Sequence, residues 1–314
     1  MAHAVLLLAL LAAAGVVCAE TIGFGVNSRG NSTDSQQVNA LWRINLLDGE
    51  VDYVGWTGYL DLEAIALDPE GTLYGADDES KTLVRVSQVT GLAIPVGGVA
   101  NRSNMGQSLL QGMDFGMDFD CHGTAWVVSD VQQSLFQADM ETGRLTRIGE
   151  RGSLGAPITD IAIRGRHVYG IGVGLSGSGA VAAPNLYRVD LENASAELIG
   201  PLGPEVSPYN NAGLAFDAAG TLWAITDRRA TPAGDFPSQI LRIDRDTGIA
   251  EKVAETIVGV ESLAITTPAA CDADDERGMP MVPASVPVLT PPWLGLLILL
   301  MLGLGLVQAG LRRS

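Results

Sequence analysis

One segment recurs along the chain, and it constrains the fold more than any other feature. Gly213–Asp227 (GLAFDAAGTLWAITD) reads as a short apolar strand, a tight Asp-x-x-Gly turn and a second strand carrying an aromatic residue. Ala64–Asp78 (AIALDPEGTLYGADD) and Gly116–Asp130 (GMDFDCHGTAWVVSD) repeat it, and Asp160–Gly172 (DIAIRGRHVYGIG) is a looser copy. A unit this short cannot bury both faces of its strands alone. The copies must therefore stack as an array of sheets.

A hairpin occurs five times: Leu41–Gly55, Leu83–Gly97, Leu135–Gly149, Leu186–Gly200 and Ile240–Ala254. Its first strand alternates with period two. Asn45, Ser87, Asp139, Asp190 and Asp244 share one aligned position, where a side-chain oxygen can cap a turn amide. Gly49, Gly91, Gly143 and Gly248 follow at the position that needs a permissive backbone. In the fourth copy Ala194 takes that place after Asn193.

The phase of the repeat predicts closure. The apolar first strand also occurs five times, around Ala64–Leu67, Gly116–Phe119, Asp160–Ile163, Gly213–Phe216 and Ser262–Ile265. Thr21–Val26 looks like a second strand with no first strand before it. Glu261–Ile265 looks like a first strand with no hairpin after it. Joined, the two ends complete one four-stranded unit and leave no open sheet edge. This arrangement resembles a β-propeller. The resemblance implies an all-β fold over residues 20–270, with about five four-stranded blades closed by the N- and C-terminal strands.

The flanks carry an address. Residues 1–19 read as a secretory signal peptide, with an apolar core over Val5–Val17 and a small-residue cleavage site at Val17-Cys18-Ala19. Residues 271–285 (CDADDERGMPMVPAS) are acidic, then proline-rich, and read as a linker. In the tail, residues 286–314, Trp293–Leu311 is long and apolar enough to span a bilayer as a transmembrane helix. Arg312 and Arg313 follow it and would stay cytoplasmic, with Trp293 at the opposite interface. The order of motif, apolar span and arginine pair resembles the IPTL-type C-terminal sorting tails of Gram-negative bacteria. Val286-Pro287-Val288-Leu289 stands where such tails carry Ile-Pro-Thr-Leu. The resemblance implies a partner in C-terminal sorting machinery, and export to the cell envelope or surface with at least transient membrane anchoring. The net charge of −17 argues against nucleic acid and anionic membrane surfaces as partners.

Cys121 and Cys271 are the thiols left after signal removal. Export permits a disulfide between them, which would staple the closing end of the array, but two separate thiols fit the sequence equally well.

Loop lengths point to one face. In an up-and-down blade the second–third connections and the links between blades share a face. All the long connections fall there: Asn27–Asn39, Ala100–Gln111, Gly174–Pro184 and Asp227–Gln239. Loops on a rigid scaffold are where binding is carried. The inner strands enter from this face. Their first residues, Glu63, Asp114, Asp160, Asn211 and Glu261, are expected to ring the channel mouth as the ligand-binding set. Carboxylates gathered at one opening favour a cation or a shared proton, and Glu63, Asp114 and Glu261 are candidate ligands for a divalent ion such as Ca²⁺. The set is loosely similar to the metal site of gluconolactonase- and regucalcin-like propellers. The competing reading is a hydrated acidic rim that caps strand ends.

Nucleophile motifs fail. His122 and His167 lie in or beside short turns away from the long loops, without a triad context. No Cys/His spacing suggests zinc. The glycines of Gly170–Gly179 have no following helix or lysine to make a phosphate loop. The aligned aromatics Tyr74, Trp126, Tyr169 and Trp223 read as packing. Arg43, Arg85, Arg188 and Arg242 read as a blade surface or as cross-strand partners of acids. The expected function is non-catalytic binding of a protein or glycan by the long-loop face. The alternatives are a metal-dependent, lactonase-like hydrolase and a structural matrix component.

Overall fold

The computed structural model describes residues 21–28, 37–176, 180–228, 236–268 and 270–271. The signal segment, the linker beyond Cys271 and the tail lie outside the described residues. So do its motif residues Val286, Pro287, Val288, Leu289, Trp293, Arg312 and Arg313. Among the described residues no helix is long and apolar enough to cross a membrane.

The chain builds five antiparallel sheets. Blade I contains β1 (Ile22–Asn27), β2 (Ala40–Asn45) and β3 (Val51–Trp56). Blade II is β4 (Leu62–Leu67), β5 (Leu73–Asp77), β6 (Thr82–Val86) and β7 (Ala93–Pro95). Blade III is β8 (Phe115–Phe119), β9 (Ala125–Ser129), β10 (Ser134–Ala138) and β11 (Leu145–Ile148). Blade IV is β12 (Ile158–Arg164), β13 (His167–Gly172), β14 (Asn185–Asp190) and β15 (Ser195–Pro201). Blade V is β16 (Tyr209–Phe216), β17 (Leu222–Arg228), β18 (Pro237–Ile243) and β19 (Ala250–Val258). The fourth strand of blade I comes from the other end of the chain. Phe24 and Ala264 exchange amide hydrogen bonds of 2.7 and 2.9 Å, and the Glu261 amide donates to Val26 at 3.2 Å. The Ser262 hydroxyl oxygen accepts the Val26 amide at 3.0 Å. The described residues form a five-bladed β-propeller closed by pairing of its first and last segments.

Packing follows from alternation along the strands. Each blade is apolar on both faces, so successive residues of one strand enter different cores. Leu135 packs between blades III and IV, while Phe136 packs between blades II and III. One buried cluster fills each of the five interfaces between neighbouring blades. Each large apolar side chain so buried stabilises by roughly 1.5–3 kcal/mol.

The turns use the chemistry that the sequence supplies. Asp120 Oδ1 accepts the Thr124 amide at 2.9 Å, and its Oδ2 accepts Trp126 Nε1 at 3.0 Å. Asp217 does the same with Thr221 (2.8 Å) and Trp223 Nε1 (2.9 Å). This explains the spacing from the turn aspartate to the aromatic. Asp139, Asp190 and Asp244 cap the hairpin amides, and these hydrogen bonds hold their carboxyls below the usual range. In two blades the repeated arginine faces an aromatic ring. Arg188 sits 4.4 Å from the Tyr169 ring and Arg242 sits 5.1 Å from the Trp223 ring, each directly across its strand pair. Arg242 also lies 3.8 Å from Glu251 across its other strand pair.

A latch between blades has no counterpart in the sequence pattern. The carbonyls of Thr57, Met105, Leu154 and Leu202, in the links between blades, accept amides from the next blade's outer hairpin. The donors are Ala93 (2.9 Å), Leu145 (3.1 Å), Ala196 (3.2 Å) and Ala250 (2.8 Å). The first half of the long Ala100–Gln111 connection therefore serves structure. Asn101 and Met105 bind the outer hairpin of blade III, and Asn104 binds Leu83. Ser108–Gln111 then leads on to Met113 and Asp114 before β8.

Candidate functional site

The inner edge of a blade carries backbone amides with no further strand to pair with. In this ring they are met largely by side chains of neighbouring inner strands. Asp160 Oδ1 accepts the Met117 amide of blade III and its own neighbour Ile161, both at 2.9 Å. Its Oδ2 accepts the Leu214 amide of blade V at 2.7 Å. One carboxyl thus joins blades III, IV and V across the channel. Asp118 reaches the Ile163 amide at 2.7 Å and the Phe119 amide at 2.8 Å. Glu63 Oε2 accepts the Phe115 amide at 2.9 Å.

Strand registers place the expected mouth residues at three depths. Glu63 and Glu261 share one level. Asp114 and Asn211 lie one residue outward. Asp160 lies one residue inward, aligned with Gly116 and Gly213. Asn211 caps its own strand entrance, with Oδ1 accepting the Ala212 amide at 2.9 Å. Asp160 and Asn211 are thus engaged with backbone and are absent from the close group of carboxylates.

What the fold does gather is a cluster between blades II and III. One carboxylate oxygen from each of Glu63, Asp78 and Asp114 lies within 4.8 Å of the other two. Asp78 follows β5 in blade II. Its Oδ1 accepts the Lys81 ammonium at 2.7 Å and the Met113 amide at 3.0 Å. Lys81 is 2% exposed and also donates to the Asp78 carbonyl. Asp114 has φ of +43°. Met113 beside it is gripped by the Ser129 hydroxyl, which donates to its carbonyl. Asp130 follows β9 in blade III, and its amide donates to the Asp114 carbonyl at 3.3 Å. Glu261 acts on Glu63 electrostatically but stands outside the close group.

Crowding raises proton affinity throughout this corner. Burial, then the charges of Asp114 and Glu261, push Glu63 well above the usual carboxylate range. Burial and Asp78 raise Asp114, against a hydrogen bond from Glu63 and the charge of Lys81. Burial and Asp114 push Asp130 up to about 8. Burial with Asp78 and Asp77 takes Asp61 to about 6. Such a corner holds protons or a cation at neutral pH.

Asp78, Asp118 and Asp130 were not among the expected site residues. Asp78 and Asp130 are the last residues of two repeat copies, and Asp227 ends a third, so the recurrence itself marked them. Asp118 occupies a level where the other blades carry Ala66, Ala162, Ala215 and Ala264.

The channel is closed on the opposite, short-loop side. A cavity of about 20 Å³ lies there, lined by Asp118, Ala66, Ala215, Ala264 and the segment Ile265–Pro268. That is room for one water. On the outer flank of the same side, blades II and V carry equivalent open clefts of about 420 and 700 Å³ between the first–second turn and the outer hairpin. Their lining is the turn chemistry of the repeat. Cys121, in the turn of blade III, is joined to Cys271 by a disulfide with Cα atoms 5.2 Å apart. The His122 ring lies 3.5 Å from Cys271 Sγ. His167 accompanies Arg188, 2.8 Å from its guanidinium.

No protein-family model and no curated protein matches the chain. Solved structures do. One is a symmetrical protein described by its de novo evolutionary emergence under folding constraints. It is 14% identical over 79% of this chain and 99% of that one, with a TM-score of 0.44. A virginiamycin B lyase from Staphylococcus aureus is 11% identical over 68% of this chain and 62% of its own, with a TM-score of 0.39. A hydrazine synthase from Kuenenia stuttgartiensis is 17% identical over 65% and 51%, with a TM-score of 0.36. At these identities the likeness concerns fold alone. The class that the chain's own topology defines is the five-bladed, four-stranded propeller.

Proposed function

We propose that this protein is an exported, non-catalytic binding module, presented at the bacterial envelope by its C-terminal tail, that recognises a partner protein with its long-loop face. The observation that carries the reading is a set of exposed apolar residues in the segments that flank the acidic corner in sequence. Leu60 (64% exposed) precedes Asp61, and Leu109 (58%) and Leu110 (95%) precede Asp114. Half-exposed Val131 follows Asp130. Exposed leucines in the segments that border one site are a mark of an interaction surface. Next to carboxylates they suit a basic, partly apolar protein segment better than a neutral glycan. Asp160 bridges the channel, so the face offers a rim rather than a deep central pocket, which favours binding over a lactonase-like reaction.

The test expresses the full chain and a form lacking Val286–Ser314 in a Gram-negative host. The full chain should fractionate with membranes, and the shortened form should appear in periplasm or medium. Unchanged distribution removes the anchoring claim. The released protein is then probed against envelope proteins and glycan arrays. A protein ligand whose affinity falls at least tenfold in Leu109→Ser/Leu110→Ser supports the reading. Glycan binding, or binding indifferent to the rim, overturns it.

A further inference from the structure

We propose that the corner between blades II and III is a Ca²⁺ site built by Glu63, Asp78, Asp114 and Asp130. The inference stands apart from the binding reading and holds whether or not the face takes a protein partner.

The four carboxyls come from four separate segments: the entrances of β4 and β8 and the ends of β5 and β9. The fold brings an oxygen of Glu63, Asp78 and Asp114 within 4.8 Å of one another, with Asp130 beside them through its amide on the Asp114 carbonyl, and backbone groups hold two of the carboxyls. Glu63 is fixed through Oε2 by the Phe115 amide, and Asp78 through Oδ1 by the Met113 amide and Lys81. Asp130 supplies the independent observation. It is 8% exposed, and its Oδ1 is buried without a hydrogen-bond partner. The charges that act on it are those of Asp114 and Asp78. A buried carboxylate oxygen without a donor carries a desolvation cost that a coordinated cation removes.

The donor set selects the ion. All four groups are carboxylates, which suits a hard cation. One oxygen from each of Glu63, Asp78 and Asp114 lies within 4.8 Å of the others, close enough to share one ion. Ca²⁺ accepts many protein oxygens in a flexible geometry, whereas Mg²⁺ demands a near-ideal octahedron and usually keeps several waters, so an all-carboxylate corner favours Ca²⁺. Lys81 offsets one of the four negative charges, and a divalent ion offsets two more.

The experiment uses the full chain, stripped with EDTA and dialysed, and titrates CaCl₂ alone by calorimetry while following the melting temperature. The expected result is one Ca²⁺ per chain with Kd of roughly 10⁻⁴ M or tighter, and a higher melting temperature in Ca²⁺ than in EDTA. Asp130→Asn and, separately, Asp114→Asn should weaken binding at least tenfold. Asp118→Asn, in the channel, should leave it unchanged. Circular dichroism confirms that each variant is folded, and the wild-type titration stands even if one variant is not. Absence of Ca²⁺ binding by wild type, or unaltered affinity in both folded corner variants, overturns the site.

Discussion

Asp118 and Asp160 take the place of a missing strand. An inner edge exposes a row of amides, and these two side chains accept five of them from three blades. The same enclosure makes their charge costly. Burial pushes Asp118 up to about 7 against the amides that favour its anion, and it raises Asp160 as well. The groups around Asp118 are Asp160, Asp120 and, at the cavity, Arg164. A carboxyl whose folded pKa lies above its unfolded value binds more protons when folded, so stability falls as pH rises between the two values. Urea unfolding of wild type should therefore show stability declining from about pH 4 to about pH 7. Asp118→Asn should flatten that slope, and an unchanged slope would show that Asp118 does not set it. Sequence reasoning named Asp160 and offered strand-end capping as a competing reading, but it did not single out Asp118. In GMDFD, Asp118 looks like a strand residue, and only its alignment with four alanines marks it.

Among the elements, the inner strands are the most constrained. They approach so closely that a Cβ built on Gly213 would overlap backbone atoms of Ser262 and Leu263, and one on Gly116 would overlap Thr159 and Asp160. Gly213→Ala should cost about 1–3 kcal/mol by forcing the closing strand away. Gly112→Ala, where nothing lies within 4 Å, should stay within about 0.5 kcal/mol. Equal effects in denaturant unfolding would refute the close-packing argument. The strands, the hairpin turns and the aromatic positions were all legible, because each rests on local chemistry repeated in every blade. The depth of the mouth residues was not. Bulges at Leu62/Ala64, Ile158/Asp160 and Tyr209/Ala212 shift the register at three strand entrances, while β8 has none. Residues that align in sequence therefore sit at different levels. The latches between blades were equally hidden, since they use carbonyls that no side chain announces.

For the whole molecule, closure decides stability. A ring whose last strand can detach has two open edges, and the phase of the repeat was enough to predict how the ends meet. After Ala264 the chain crosses the short-loop end of the channel. Thr266 Oγ1 donates to the Phe216 carbonyl at 2.9 Å, and the chain then reaches Cys121 in blade III through Cys271. The bond spans 150 residues of sequence. Replacing both cysteines by alanine should lower stability by about 2–5 kcal/mol. Coincident denaturant curves for wild type and the double variant would rule this out. The disulfide also settles a matter of mechanics. Tension applied to the chain beyond residue 271 enters the propeller at the turn of blade III, through a covalent bond. The closing strand, held to β1 by a handful of hydrogen bonds, lies upstream of that point and off the load path. A pull on this end therefore cannot unzip the ring strand by strand until the sulfur bond itself gives way.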